Sequence, residues 1–230
     1  MWHWAHQGTR SCDPWWENET EWHRAWKGQF PVHWQEIVHT AETGEKHIAD
    51  VKTDRDWVIE FQHSYIKPEE RRSRDAFYPK LVWVVNGTRR RRDRVQFANV
   101  WNEGLQLNSS VRLVDSDKCL LLKEWASSHW PIFFDFREEH VLWWLLHRSK
   151  NKDRLVYVAP FARADFIESH YVGATQEGQN FDDIVRGIGE LDVRHELQLW
   201  DKALKRSEPK QPLRNFERYL YLKGKRQRRF

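Results

Sequence analysis

The spacing of apolar residues changes along the chain, and each change marks an element. Trp22 and Trp26 lie one helical turn apart while Glu19, His23 and Lys27 fall on another face, so a helix with one side to bury is expected to run to about Lys27. Asp13 and Pro14 supply its start, with a short acceptor at the cap and a proline where the missing N–H costs nothing. Pro31 lies just beyond its end. Three short stretches follow, at residues 36–39, 46–52 and 57–62, the last reading WVIEFQ, and their Val, Ile and aromatic residues favour strands. Residues 53–56, TDRD, suit a tight reversal, so the second and third strands should form an antiparallel hairpin. Pro68, Glu69 and Glu70 open a second helix with acid in its first turn, and Pro79 ends it after Tyr78. Residues 81–85, LVWVV, are continuously apolar, the mark of a strand buried on both faces.

After Arg94 strands are expected at residues 111–114, 119–123, 132–136, 141–146 and 155–159, then a helix near 163–170 and a broken helical segment over 181–204. The chain therefore reads as α/β. A core of helix, three strands, helix and strand occupies residues 1–94, an appended strand-rich region 95–175, and a helical segment with a basic tail 176–230. The polar stretch from Gly87 to Arg94 divides the first two, although its shortness leaves open that the halves pack as one body.

Composition narrows the class. With 40% hydrophobic and 31% charged residues in 230, the chain is neither disordered nor fibrous. Its longest apolar run, Val141 to Leu146, is far below the ~18 residues of a membrane span, and no leader is visible. A soluble, cytoplasmic protein without a membrane partner is expected. Two cysteines, Cys12 and Cys119, make no disulfide framework and fit a reducing compartment. The net charge of +4 is uneven: residues 202–230 hold 11 Lys+Arg against two Glu, so the remainder is net acidic. A basic tail with aromatics interleaved suits a polyanion such as nucleic acid, the alternative being simple solubilisation. Arg89, Arg90, Arg91 and Arg92 form a second basic run, and Arg71, Arg74 and Tyr78 recur at helical spacing, right for a row along a phosphate backbone. Most of the 15 Trp are expected in the core rather than as base-stacking platforms.

The hairpin brings the chemistry together. If its turn centres near Arg55, Asp50 lies opposite Glu60 or its neighbour, and Gln62 shares a face with Glu60 because strand side chains alternate. Opposite residues come within ~5 Å, so two facing carboxylates repel unless a divalent cation bridges them, and oxygen ligands suit Mg²⁺ or Mn²⁺. The alternative is two exposed acids on a solvated sheet face. His3, His6 and Cys12 are spaced too loosely to define a closed zinc site.

The run from Cys12 to Val85, with CDPWWENETEWHRAWK, EIVH, EKHIADV, VIEFQHS, IKPEERRSRDAFY and LVWVV, resembles the competence protein CoiA-like family, whose core is taken to belong to the PD-(D/E)XK nuclease superfamily. The resemblance implies a restriction-endonuclease-like core with its acidic pair at Asp50 and Glu60. It places Gln62 where many superfamily members have lysine, and a glutamine brings no positive charge to the transition state. It matches His23 and Lys27 to the family's helix motif, making Lys27 the candidate for that charge, adds Glu21 as a third acid, and sets His63 and Ser64 beside the site. Trp4-Ala5-His6 is similar to the family's Phe-Ala-His turn. The Cys-x-x-Cys pair that related proteins carry upstream is absent, so the chain is expected to begin inside a longer reading frame.

A metal-dependent nuclease acting on single- or double-stranded DNA is expected, with Asp50 and Glu60 holding Mg²⁺ or Mn²⁺, Gln62 positioning water, and Lys27 and His23 auxiliary. The family's link to transformation implies DNA uptake and recombination, and defence against foreign DNA suits the chemistry equally. The rival is a non-catalytic nucleic-acid-binding or recombination-partner protein, for which Gln62 is the supporting feature. RNA as substrate is a third reading.

Overall fold

The computed structural model describes residues 19–40, 44, 46–107, 109–148, 154–171 and 180–187. The element order is α1 (Glu21–Lys27), β1 (Gln35–Thr40), β2 (Lys46–Lys52), β3 (Val58–Gln62), α2 (Pro68–Phe77) and β4 (Leu81–Asn86). There follow α3 (Asp93–Glu103), β5 (Leu105–Gln106), β6 (Arg112–Asp115), α4 (Leu120–Trp125), β7 (Ile132–Asp135), β8 (Val141–Arg148), β9 (Leu155–Ala162) and α5 (Arg163–Glu168). Residues 1–181 form one compact unit, and residues 182–230 form a second, of which 182–187 are described.

The nine strands among the described residues belong to one mixed sheet, in the order β1-β2-β3-β4-β7-β8-β9-β6-β5. The first three are antiparallel, β3, β4 and β7 run parallel, and the rest are antiparallel again. The α/β class and the order helix, three strands, helix, strand are as expected. The strand-rich region after Arg94 is no separate appendage, because β7 pairs directly with β4 and carries the same sheet onward. The basic stretch at the expected division is the β4–α3 loop.

Alternation along the strands separates two faces. Val58, Trp83, Val85, Ile132 and Phe134 share a core with Tyr78 beside α2, Phe97 of α3 and Trp125 of α4. Their neighbours Phe61 and Phe133 turn the other way, to Trp22 and Trp26 of α1 and Phe166 of α5. Every residue of β4 is buried, as its unbroken apolar run requires.

Three elements differ from expectation. Residues 119–123 are not a strand: Leu121, Leu122 and Trp125 are buried in α4 while Leu120 stays exposed, and a short apolar run fits either period until its packing partner, here Trp83, is known. Helix α3 starts within the arginine-rich stretch and buries Phe97 and Val100, a spacing masked by the polar residues around it. The described start of α1 is capped by Thr20, whose hydroxyl accepts from the His23 N–H at 3.3 Å. Asp13 and Pro14 lie outside the described residues, as do His3, His6, Cys12, the tail from residue 202 and most of the segment 181–204. Cys119 is a buried free thiol. Among the described residues no helix is long and apolar enough to cross a membrane.

Candidate active site

The hairpin turn is built as TDRD predicts. Thr53 N–H donates to Trp57 C=O at 2.9 Å, Asp56 N–H to Thr53 C=O at 3.0 Å, and Asp56 takes φ 63°. Val51 then stands across from Ile59 and Lys52 from Val58, so Asp50 is level with Glu60. On the other side Gln35 pairs with Val51 and Ile37 with Ala49, which puts Glu36 level with Asp50. One level of the sheet therefore carries a carboxylate on each of β1, β2 and β3.

That level is where the sheet stops being regular. Antiparallel ladders bond every second pair, so after Thr53/Trp57 and Val51/Ile59 the Phe61 N–H would meet the Ala49 carbonyl. It donates instead to Asp50 Oδ2 at 2.8 Å. Glu36 has φ 54°, a left-handed conformation that costs a non-glycine residue roughly 1–2 kcal/mol. The pleat changes sides here as well. His39 and His47 touch Tyr78 and Phe77 near α2, whereas Val51 pairs with Ile59, on the α1 side with Phe61. Asp50 sits at the crossover, within reach of groups from both helices.

From α2, Arg74 Nη1 donates to Glu60 Oε2 at 3.0 Å and Nη2 to Glu70 Oε1 at 2.6 Å. From α1, Lys27 Nζ pairs with Glu36 Oε1 at 2.8 Å and with Glu19. His23 Nε2 donates to the Phe61 carbonyl and its Nδ1 lies 3.2 Å from the Thr20 hydroxyl, which fixes the proton on Nε2 because a carbonyl only accepts. The Phe61 peptide groups are thus held at both ends, N–H by Asp50 and C=O by His23. Seven residues are too few for a stable isolated helix. Helix α1 is placed by tertiary bonds: Trp22 Nε1 and Trp26 Nε1 both donate to Asp135 Oδ2 at 2.9 Å. Arg163 Nη2 and the Arg137 N–H hold Asp135 Oδ1 at 2.6 and 2.7 Å.

Positive charge is short at the acidic level. Five carboxylates, Glu19, Glu36, Asp50, Glu60 and Glu70, surround two permanent cations, Lys27 and Arg74. Burial first, and the Asp50 charge second, push the Glu60 carboxyl up to about 8 despite Arg74. Burial also raises Asp50, against the Phe61 N–H, His23, Lys27 and Arg74. Glu60 Oε1 is buried and has no hydrogen-bond partner among the described residues. A carboxyl with a raised folded-state pKa contributes stability that is complete below its unfolded value and is lost as pH rises through the folded one. In chelator, Glu60 alone should therefore cost up to about 1.4 kcal/mol of stability per pH unit between about pH 4.5 and 8. Urea unfolding across that window checks it, and a flat profile would remove the buried-acid description.

Of the other expected site residues, Gln62 is buried one strand step beyond Glu60, and its amide donates to Ser64 C=O at 3.3 Å. His63 is bonded to Asn86 at 2.9 Å, with its ring 6.2 Å from that of His23. Glu21 is exposed in the first turn of α1, and the acids that meet Lys27 are Glu19 and Glu36. The expected phosphate row on α2 is not an exposed face. Arg74 is turned onto Glu60, Arg71 is buried with bonds to Glu124 C=O and Ser127, and Tyr78 is buried with its hydroxyl near Glu60. Arg89 and Arg90 are paired with Glu124 and Asp93, while Arg91 and Arg92 are exposed. Sequence reasoning missed Glu36, Glu70 and Asp135. The Glu70/Arg74 spacing was the one visible signal among these.

No three His, Cys, Asp or Glu side chains among the described residues gather closely enough to hold a metal by themselves. Asp50 and Glu60 offer two hard oxygen donors, which suits an ion that keeps much of its water. Comparison with family models, curated proteins and solved structures gives no match to this chain.

Proposed function

We propose that this protein is a metal-dependent nuclease that hydrolyses phosphodiester bonds in DNA. The observation that carries the reading is the pair of facing carboxylates, Asp50 and Glu60, at an irregular level of the sheet where negative charge outweighs positive. The chain order of helix, three strands, helix and strand agrees with the PD-(D/E)XK core that the resemblance to the CoiA-like family implies.

Asp50 and Glu60 would hold Mg²⁺ or Mn²⁺, with water completing the shell. When bound, the metal supplies polarisation of the phosphoryl oxygens and an acidified water. The protein's part is placement. The Phe61 N–H fixes the Asp50 carboxylate, Arg74 fixes one oxygen of Glu60 and leaves the other, and His23 holds the next peptide along β3 through the Phe61 carbonyl. Gln62, on the same strand face as Glu60, orients the attacking water. Lys27 lends positive charge to Asp50 while Glu19 and Glu36 hold it in place. Burial opposes its charge, but the two acids outweigh burial and raise its pKa above the usual value. DNA uptake with recombination and defence against foreign DNA are the roles this chemistry serves.

A non-catalytic DNA-binding role is the second reading, favoured by the Arg74 bond that already occupies Glu60. Incubating the protein with labelled single- and double-stranded DNA and RNA in Mg²⁺, Mn²⁺ or chelator separates the two. Cleavage of DNA that chelator stops is the expected result, and binding without cleavage in every metal would establish the second reading. In the same assay Gln62→Lys should keep or raise turnover, whereas Gln62→Leu should lower it by up to about 10²-fold through a misplaced water. A Leu variant as fast as wild type would show that the amide does no chemistry.

A further inference from the structure

The loops that leave β3 and β4 lie side by side, because those strands are parallel neighbours. They are also tied together. Arg89 Nη1 donates to Ser64 C=O at 2.7 Å, and Asn86 bonds His63 across the gap. Asn86 Oδ1 accepts both the N–H and the hydroxyl of Thr88 at 2.8 Å, which shapes the start of the second loop.

The four consecutive arginines in that loop divide by role. Arg89 and Arg90 are pinned by Glu124, and Arg90 Nε also meets both oxygens of buried Asp93 at 2.9 and 3.0 Å. Arg91 and Arg92 are exposed. This arrangement opposes stability twice, since like charges are crowded together and they sit at the N-terminus of α3, the end of a helix that favours anions. On the adjoining loop, buried Ile66 anchors a turn that leaves Tyr65 61% exposed, with Lys67 exposed beside it. An exposed aromatic ring, with an exposed lysine two positions on and exposed arginines on the loop tied to it, matches a strand with both accessible bases and phosphates, because in a duplex the base faces are already stacked.

We infer that the paired loops at the ends of β3 and β4 are the binding surface for single-stranded DNA, with phosphates on Arg91, Arg92 and Lys67 and a base stacked on Tyr65. The inference rests on the nuclease reading for its substrate and gives that substrate its strandedness and its path, beginning three residues along the chain from Gln62. A strand lying there runs past the C-terminal end of β3, the strand that carries Glu60 and Gln62.

The test is fluorescence anisotropy of the full chain with labelled oligo-dT of about 16 nucleotides and with a duplex of equal length, in chelator and at several salt concentrations. Tyr65→Ala should weaken oligo-dT binding about fivefold or more and leave the duplex nearly unchanged. The Arg91→Ala/Arg92→Ala double variant should weaken binding and reduce the salt slope for the single strand by about 1.4. The basic tail is common to all these proteins and cancels in the differences. Thermal melting confirms folding, and Ser73→Ala at an exposed position of α2 serves as a neutral-charge control that should keep the salt slope. Unchanged affinity and slope in both variants overturn the surface, and an equal loss on duplex overturns its preference for single strands. Because binding is read in chelator, the nuclease reading fails separately: intact, variant-sensitive binding with no cleavage in any metal leaves this surface standing without a hydrolase.

Discussion

Asp50→Asn should abolish metal-dependent cleavage, by about 10³-fold or more, and make the protein more stable in chelator. The two signs have one origin. Asp50 and Glu60 stand level on adjacent strands, both carboxyls are raised by burial, and the charge of Asp50 adds to the rise of Glu60. The amide keeps an oxygen for the Phe61 N–H and deletes only the charge. Each kcal/mol recovered shifts Tm by about 2–4 °C in a chain of this size. Glu60→Gln should be as inactive but gain little stability, since it also weakens the bond that Arg74 makes. Cleavage rates beside melting curves with chelator and with Mg²⁺ decide the matter. An Asp50→Asn protein that cleaves like wild type would end the metal-site assignment.

Loss of Arg74 should be the most destabilising single change at the site. Its guanidinium is buried and bridges Glu60 and Glu70, so Arg74→Met leaves two acids without their shared cation at a cost of about 3–5 kcal/mol. The cost should depend on pH. Near pH 5 Glu60, with its carboxyl pushed up to about 8, is already protonated and loses little, whereas near pH 8.5 the full effect appears. Mg²⁺ should recover part of the loss at the higher pH if it binds Glu60. Denaturant midpoints of wild type, Arg74→Met and Arg74→Lys at both pH values provide the measurement, and a loss equal at both would show that Arg74 acts by packing over Trp83 alone.

The facing of Asp50 and Glu60 was legible because a turn centred on Arg55 leaves no freedom: strand pairing counts outward from it, and the observed register does so. Helix α2 and strand β4 were legible from proline punctuation and an unbroken apolar run. Glu36 was not, since its level depends on the β1/β2 register, which no tight turn signal fixes in the sequence. The role of Arg74 was hidden for another reason. Its spacing with Arg71 gives a shared helix stripe, but which stripe faces the sheet follows only from where Trp83 and Trp125 stack. Helix α4 was lost because a short apolar stretch fits both periods, and α3 because Phe97 and Val100 stand among polar residues.

The bond from both α1 tryptophans to Asp135 sets an order of events during synthesis. Asp50 and Glu60 leave the ribosome long before Asp135 and Arg163, and until those residues arrive the seven-residue helix has its contacts to Phe61 and Glu36 but not the anchor of its two tryptophans. A growing chain therefore displays the two carboxylates before the bonds from Trp22 and Trp26 to Asp135 can form. The same dependence means that residues 1–94 cut out alone would keep Asp50 and Glu60 and lack the Asp135 anchor of α1. On the nuclease reading, a nascent or truncated copy would carry its acidic pair before the middle of the sheet has arrived to anchor α1.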